Sequence, residues 1–296
     1  MKAATLFSLT VFALSGAGCD SCSRPTGAVA DAGPTLIADA SPINATPFPT
    51  ASIAAAVNRD HLPAYAGPTG SVEGTITVTG DPAPETPGDF KRCPDAEKTY
   101  GHAFREGEPA APGGSRWLAD AVVAVTGYGN FFVPEKSEAK EITIQGCAFS
   151  TRTVTMTYGQ RLEVKNLTKD FWTPKLDPVQ TTVMMMATPG GDPVKLYPKV
   201  PGHYHLIDHD RKYVVDDLYA FLHPLHTASA VGGTYRIDGV PVGKVTVNAL
   251  HPRIGKSEAS KVVEIKPGVV TRVDLALEHK APPPETLDAG PQPRLH

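Results

Sequence analysis

Short runs in which apolar and polar residues alternate recur along most of this chain. Alternation with a period of two is typical of β-strands that bury one face. Turn residues separate the runs, as in the Lys-Pro-Gly sequence that begins at Lys266. No run with a helical period competes with them, so the pattern predicts an all-β protein built of antiparallel sandwiches. The clearest runs are VEGTITV from Val72, AVVAVT from Ala121, EITIQ from Glu141, TRTVTMT from Thr151, RLEVKN from Arg161, TYRID from Thr234, KVTVNAL from Lys244, KVVEI from Lys261 and VTRVDLAL from Val270.

Both ends of the chain lack this pattern. Residues 19–68 are mostly Ala, Pro, Thr, Ser, Asp and Gly, and the last residues read APPPETLDAGPQPRLH. Such segments bury too little apolar surface to offset the entropy that is lost on ordering. We therefore predict a disordered stalk over residues 19–68 and a disordered tail over residues 280–296.

The first 18 residues have the features of an export signal. Lys2 precedes an apolar run from Ala3 to Leu14, which is too short to span a bilayer, and small residues follow it. The Ala-Gly-Cys sequence ending at Cys19 is similar to the bacterial lipobox, whose cysteine is acylated. This resemblance implies a lipoprotein signal peptide over residues 1–18 and an exported protein anchored to a membrane through Cys19, facing the periplasm or the cell surface. Ordinary cleavage with release of the protein is the alternative.

Length, charge and motifs exclude several functional classes. The 296 residues suffice for two small domains plus tails, and the net charge of −3 gives no basic surface for nucleic acid. The sequence has no Gly-x-Ser-x-Gly nucleophile motif, His-Glu-x-x-His helix or phosphate-binding glycine loop. A hydrolase would have to pair acids such as Asp170, Asp216 and Asp217, which we expect on solvated faces. The sequence predicts no catalytic residue, and a hydrolase is the least favoured alternative.

The segment PGHYHLIDHDRKYVVDDLYAFLHP, from Pro201 to Pro224, has the outline of a copper-binding loop between two strands. It resembles exported cupredoxin-like proteins of the methylamine-utilisation type, in which Pro-Gly-x-Tyr leads to Cys-Asp-x-His-Pro-x-Met and a later His-Pro. Pro201, Gly202 and Tyr204 match the start of that pattern, and His223-Pro224 matches its end. The resemblance implies a cupredoxin-like Greek-key sandwich, which we predict over residues 69–222.

The copper ligands of that family are missing from this chain. Counting back from His223 without a gap places Asp208 at the Cys position, Arg211 at the His position and Val214 at the Met position. The segment NLTKDFWTP places Trp172 where the family's other His stands. Arginine offers only donors and tryptophan has no free lone pair, so the resemblance implies a degenerate site and no cofactor. We predict that Arg211 stacks on Trp172 and pairs with Asp208.

The histidines of the same segment support an alternative. His203, His205 and His209 are spaced by two or four residues, and residues two apart on a strand share a face. With Asp208 or Asp210 nearby, such imidazoles suit one divalent metal ion, copper or zinc. Histidines that simply lie on an exposed sheet face have the same spacing.

The C-terminal block reads GGTYRIDGVPVGKVTVNALHP from Gly232, followed by VVEIKPGVVTRVDLAL from Val262. It resembles the carboxypeptidase-regulatory-like, transthyretin-like (prealbumin-like) domain. The resemblance implies a small non-catalytic β-sandwich, which we predict over residues 223–279. Physically, a proline that fixes a turn and a glycine that permits positive φ allow the chain to reverse between Ile237 and Val245. The residues that carry this resemblance are Gly233, Tyr235, Gly239, Pro241, Gly243 and Val245.

Two of the four cysteines lie in the predicted folded part. Cys93 in KRCPD and Cys147 in IQGCAF match two cysteines of the cupredoxin-like family, and in an oxidising compartment they are predicted to form a disulfide. A redox or metal-binding thiol pair is the alternative. Cys19 and Cys22 form a Cys-Asp-Ser-Cys sequence that is similar to a redox motif, but no predicted helix lowers a thiol pKa there.

These observations favour a non-catalytic, exported and lipid-anchored binding or structural module at the cell envelope. Its predicted contacts are the membrane, through the N-terminal lipid, and an envelope protein or a polysaccharide. The alternative is a periplasmic metal-binding or electron-transfer protein that uses a non-standard site of histidine and aspartate.

Overall fold

The computed structural model describes residues 49–109, 114–179, 184–255 and 257–281. The predicted signal peptide, Cys19, Cys22 and nearly all of the predicted tail lie outside the described residues. None of the helices in the described residues is long and apolar enough to cross a membrane. Strands predominate, which confirms the all-β class predicted from the alternating pattern.

The described strands form four sheets, and two of these sheets enclose a core that we call core 1. The first sheet has the order β14-β1-β3-β2, and β17 and β18 pair with β1 in parallel. Its strands are β1 (Thr69–Gly80), β2 (Glu106–Pro109), β3 (Arg116–Leu118), β14 (Thr234–Pro241), β17 (Val270–Arg272) and β18 (Leu275–His279). The second sheet has the order β13-β4-β15-β16. Its strands are β4 (Val122–Thr126), β13 (His226–Ala228), β15 (Gly243–Leu250) and β16 (Glu258–Ile265).

The other two sheets enclose core 2. One has the order β10-β8-β5-β6, and the other has the order β7-β12-β11-β9. Their strands are β5 (Ala139–Gln145), β6 (Ala148–Phe149), β7 (Thr153–Thr157), β8 (Arg161–Asn166), β9 (Pro174–Asp177), β10 (Val194–Leu196), β11 (Gly202–Asp208) and β12 (Val215–Phe221). Buried residues of both sheets form one apolar cluster, so core 2 is the interior of a β-sandwich.

Strand β1 shows how the alternating pattern becomes structure. Val72, Ile76 and Val78 are buried in core 1 while the intervening side chains face outward. A Cβ at Gly74 would overlap the carbonyl oxygen of Val273, so glycine is needed where the chain leading from β17 to β18 lies against β1. The first domain predicted over residues 69–222 includes β1, β3 and β4, yet these strands pack with the C-terminal strands in core 1.

Two short helices depart from the sequence analysis. Helix α1 (Thr50–Val57) lies in the segment predicted as a stalk, and Tyr65, in the same segment, packs on Phe131 with ring centroids 4.5 Å apart. Helix α2 (Pro94–Tyr100) begins with proline at its first position and has Asp95 and Glu97 in its first turn. Both features are ordinary helix-start signals that the strand pattern does not carry.

The predicted disulfide is present. Cys93 and Cys147 are bonded across 54 residues, with Cα atoms 5.8 Å apart. It ties the start of α2 to the turn between β5 and β6, beside core 2. In the chain-entropy model, a closed loop of this length stabilises the fold by up to about 4 kcal/mol.

Candidate functional site

Three of the four residues predicted to stand at copper-ligand positions contact one another in the structure. Trp172 is fully buried between β8 and β9, and the Arg211 guanidinium carbon lies 4.0 Å from the centre of its ring. Arg211 Nη1 is 3.4 Å from Asp208 Oδ1, and Val214 is buried in core 2. The arrangement of Trp172, Arg211 and Asp208 is the one that the ungapped count predicted.

The Asp208 carboxylate is occupied by backbone donors. Its Oδ2 accepts a hydrogen bond from the Thr173 amide at 2.8 Å, and its Oδ1 accepts from the amides of Asp210 and Arg211 at 3.1 and 2.9 Å. A carboxylate used in this way fixes the turn after β11. Because the remaining positions carry a guanidinium, an indole and a valine, these residues do not fit a type 1 copper ion.

An open cleft lies beside the packed side chains of Trp172, Arg211 and Asp208. Its volume is about 650 Å³, and Phe171 stands at its edge with 58% of its surface exposed. Tyr213 forms part of the wall and packs on Phe90, with ring centroids 5.0 Å apart. The charged side chains that line the cleft are balanced in sign, and they are Asp89, Arg92, Asp170, Asp210, Arg211 and Lys212.

A second group of polar side chains lies on the face of β11 and β12 that points away from core 2. The antiparallel register sets His205 opposite Asp217 and His203 opposite Tyr219. His203 Nε2 is 2.7 Å from Asp217 Oδ1, and His205 Nδ1 is 3.3 Å from the same oxygen. One ligand atom from each of His203, His205 and Asp217 lies within 4.8 Å of the other two. We call these three residues the His/His/Asp cluster.

Two neighbours orient the His/His/Asp cluster. Arg253, which follows β15, donates from Nε to Asp217 Oδ2 at 2.9 Å and from Nη2 to the Val215 carbonyl at 3.3 Å. The Tyr219 ring stacks on the His203 ring with centroids 4.4 Å apart and planes 13° apart. His205 Nδ1 is buried, and it makes no hydrogen bond of standard geometry with the described part of the chain.

His209, the third histidine of the predicted metal group, does not join the other two in the structure. It follows the end of β11, where its amide donates to the Thr173 carbonyl and its carbonyl accepts from Lys212 Nζ. The sequence spacing identified His203 and His205 but missed Asp217 and Arg253. The register of β11 against β12 brings in Asp217, and a loop of the other core brings in Arg253.

The prediction that Asp216 and Asp217 lie on solvated faces is wrong, because both are buried, whereas Asp170 is exposed. Asp217 is held by Arg253, as described above. Asp216 is fully buried, and neither oxygen makes a hydrogen bond of standard geometry within the described residues. Its polar neighbours are the Tyr100 hydroxyl and the Arg152 guanidinium. Burial raises the pKa of Asp216 well above its usual range, and Arg152 opposes that rise.

Arg152 belongs to a group of mostly buried charged side chains that we call the polar junction. Arg152 Nη1 donates to the carbonyls of Thr99 and His102 at 3.1 and 2.8 Å. Burial lowers the pKa of Arg152, and the Asp216 and Asp120 carboxylates oppose this effect. Asp120 also accepts two hydrogen bonds from Arg105, at 2.6 and 2.7 Å. The polar junction comprises Arg105, Asp120, Arg152 and Asp216.

Comparisons with known proteins give only distant likenesses. No protein-family model and no curated protein sequence matches the chain. Amicyanin from Paracoccus versutus is 12% identical over 29% of this chain and 84% of its own, with a TM-score of 0.26. A copper-containing nitrite reductase from Thermus scotoductus is 15% identical over 40% of this chain and 26% of its own, with a TM-score of 0.24. These scores carry no argument about function, and the finer family assignments stay predictions.

Proposed function

We propose that this chain is a non-catalytic binding module of the bacterial cell envelope, and that the cleft beside Phe171 and Arg211 takes a segment of polysaccharide. The observation that carries this proposal is an open cleft directly beside the contact of Trp172 with Arg211, where the sequence predicts a degenerate copper site. Arg211 belongs to both: its guanidinium lies on Trp172, and it also lines the cleft.

The composition of the cleft favours a sugar chain over a charged or purely apolar ligand. An exposed aromatic ring such as Phe171 offers an apolar face for the C–H bonds of a sugar ring. Carboxylates and guanidinium groups offer the acceptors and donors that sugar hydroxyls need, and their balanced charges favour a neutral ligand. A binding role also agrees with the full burial of Asp216, because a substrate cannot reach an enclosed carboxyl group.

Replacing Phe171 by alanine tests this proposal. We expect F171A to bind soluble fragments of the producing cell's envelope polysaccharide about five- to tenfold more weakly, because it loses a stacking contact worth about 1 kcal/mol. Calorimetry or affinity electrophoresis measures the change. The matched control is L222A, which removes another exposed apolar side chain, at the opposite end of β12 from the cleft residue Tyr213. Equal binding by F171A and the unmodified protein, or no binding by the unmodified protein, contradicts the proposal.

The proposed location follows from the N-terminal sequence. We propose that the chain is exported and that Cys19 carries the lipid that holds the module at a membrane. Metabolic labelling with a palmitate analogue is expected to label the unmodified protein and not C19A, because the thiol of Cys19 is the acylation site. The C22S variant is the matched control and is expected to keep the label. A labelled C19A variant or an unlabelled parent contradicts the anchor.

A further inference from the structure

We propose that the His/His/Asp cluster binds one divalent transition-metal ion of the zinc or copper(II) class. Two imidazole nitrogens and one carboxylate oxygen form a donor set that suits these ions. The site is separate from the copper position of the cupredoxin-like family, whose residues here are Trp172, Asp208, Arg211 and Val214. It is also independent of the polysaccharide cleft, so each proposal stands or fails by itself.

The spacing of the ligand atoms is close to what one ion requires. With bonds of about 2.1 Å to nitrogen and oxygen, tetrahedral coordination places neighbouring ligand atoms about 3.4 Å apart. In the structure, Asp217 Oδ1 is 2.7 Å from His203 Nε2 and 3.3 Å from His205 Nδ1. All three ligand atoms lie within 4.8 Å of one another. Small rotations of the two imidazole rings are therefore enough to place the ion between them.

The surroundings hold these ligands in place before an ion arrives. Arg253 occupies Asp217 Oδ2 and leaves Oδ1 directed at the histidines. Stacking on Tyr219 fixes the plane of the His203 ring. Supporting contacts of this kind accompany the ligands in most protein metal sites. The buried His205 Nδ1 lies 3.3 Å from Asp217 Oδ1 and makes no hydrogen bond of standard geometry with the described residues, so its lone pair is available to a metal ion bound between them.

The site is open to solvent on one side. The side chains of His203 and His205 are 40% and 42% exposed, whereas that of Asp217 is only 4% exposed. An ion can enter over the two rings and meet a buried carboxylate at the bottom. With three protein ligands, at least one coordination position remains for water or an external ligand.

Metal titration of the full chain tests the inference. We expect the unmodified protein to take up one equivalent of Zn²⁺ by calorimetry, and Co²⁺ to give the visible bands of a site of low coordination number. H203A and H205A are each expected to bind Zn²⁺ more weakly by at least the 10- to 100-fold that loss of a supporting residue costs. H209A is the matched control, because His209 lies outside the cluster, and it is expected to keep the full equivalent.

A second measurement separates loss of the site from loss of the fold. Zn²⁺ is expected to raise the melting temperature of the unmodified protein and of H209A, because the ion binds the folded state, and to leave H203A and H205A unchanged. Any Zn²⁺ bound by Cys19 and Cys22 is common to the unmodified protein and the three histidine variants, so it cancels when they are compared. Retention of the equivalent by both H203A and H205A overturns the inference, as does the absence of stoichiometric binding by the unmodified protein.

Discussion

Replacing Arg152 by methionine is expected to lower the free energy of unfolding by about 4 kcal/mol, the usual cost of removing one partner from a buried ion network. Methionine keeps the length and much of the volume of the side chain but makes no hydrogen bond through a guanidinium. The carbonyls of Thr99 and His102 lose their donor, and the buried Asp216 carboxyl loses the positive charge that opposes the rise of its pKa. Urea unfolding at neutral pH measures the change.

For Asp216, another member of the polar junction, we expect a substitution to change stability much less than R152M does. The pKa of Asp216 is raised mainly by burial, which disfavours the ionised form of the carboxyl group, and asparagine matches that group in size. D216N is therefore expected to unfold within about 1 kcal/mol of the parent, because neither oxygen gives up a hydrogen bond of standard geometry to any described residue.

The double variant distinguishes the two contributions to the cost of R152M. If part of the stability loss in R152M comes from the uncompensated Asp216 carboxyl, R152M/D216N regains that part. The loss that remains is then due to the Thr99 and His102 carbonyls, which no longer have a donor. Equal stability of R152M and the parent would show that the network contributes nothing. If the slope of the unfolding free energy against urea concentration is the same in all the variants, the differences reflect stability rather than a change in the unfolded state.

The sequence predicted the strands because the period of two is a local property. In β1, for example, the alternation of Val72, Ile76 and Val78 with polar residues specifies the buried face without knowledge of the partner strand. It did not identify three of the partners of β1, namely β14, β17 and β18, which lie more than 150 residues further along the chain. Pairing over such separations depends on the assembled fold.

In the candidate sites, too, local contacts were predictable from the sequence and contacts between separate strands were not. The contact of Arg211 with Trp172 and Asp208 was predictable because a short turn fixes Arg211 relative to Asp208. The pairing of Asp217 with His205 required the register of β11 and β12. The sequence nevertheless held one neglected signal: adjacent aspartates inside an apolar strand must face opposite sides. Asp216 is in phase with Leu218, a core residue, so its burial could have been inferred.

Replacing Trp172 by alanine is expected to cost about 4 kcal/mol of unfolding free energy, because a fully buried tryptophan leaves a large cavity when it is truncated. The indole packs on Phe149 with ring centroids 5.9 Å apart, supports the Arg211 guanidinium on its face and donates from Nε1 to Thr168 Oγ1. Its neighbour in sequence provides the matched control. F171A removes an exposed ring and is expected to change stability by less than about 0.5 kcal/mol.

Together the two variants test whether the contact of Trp172 with Arg211 and the cleft have different roles. If Trp172 is the structural support of Arg211 and Phe171 contacts the ligand, W172A loses stability while F171A loses polysaccharide binding at unchanged stability. Chemical denaturation of both proteins, followed by binding measurements well below the unfolding midpoint of W172A, resolves the two effects. A loss of less than about 1 kcal/mol in W172A would show that the indole does not support core 2, because truncation of a large buried aromatic side chain ordinarily costs several times as much.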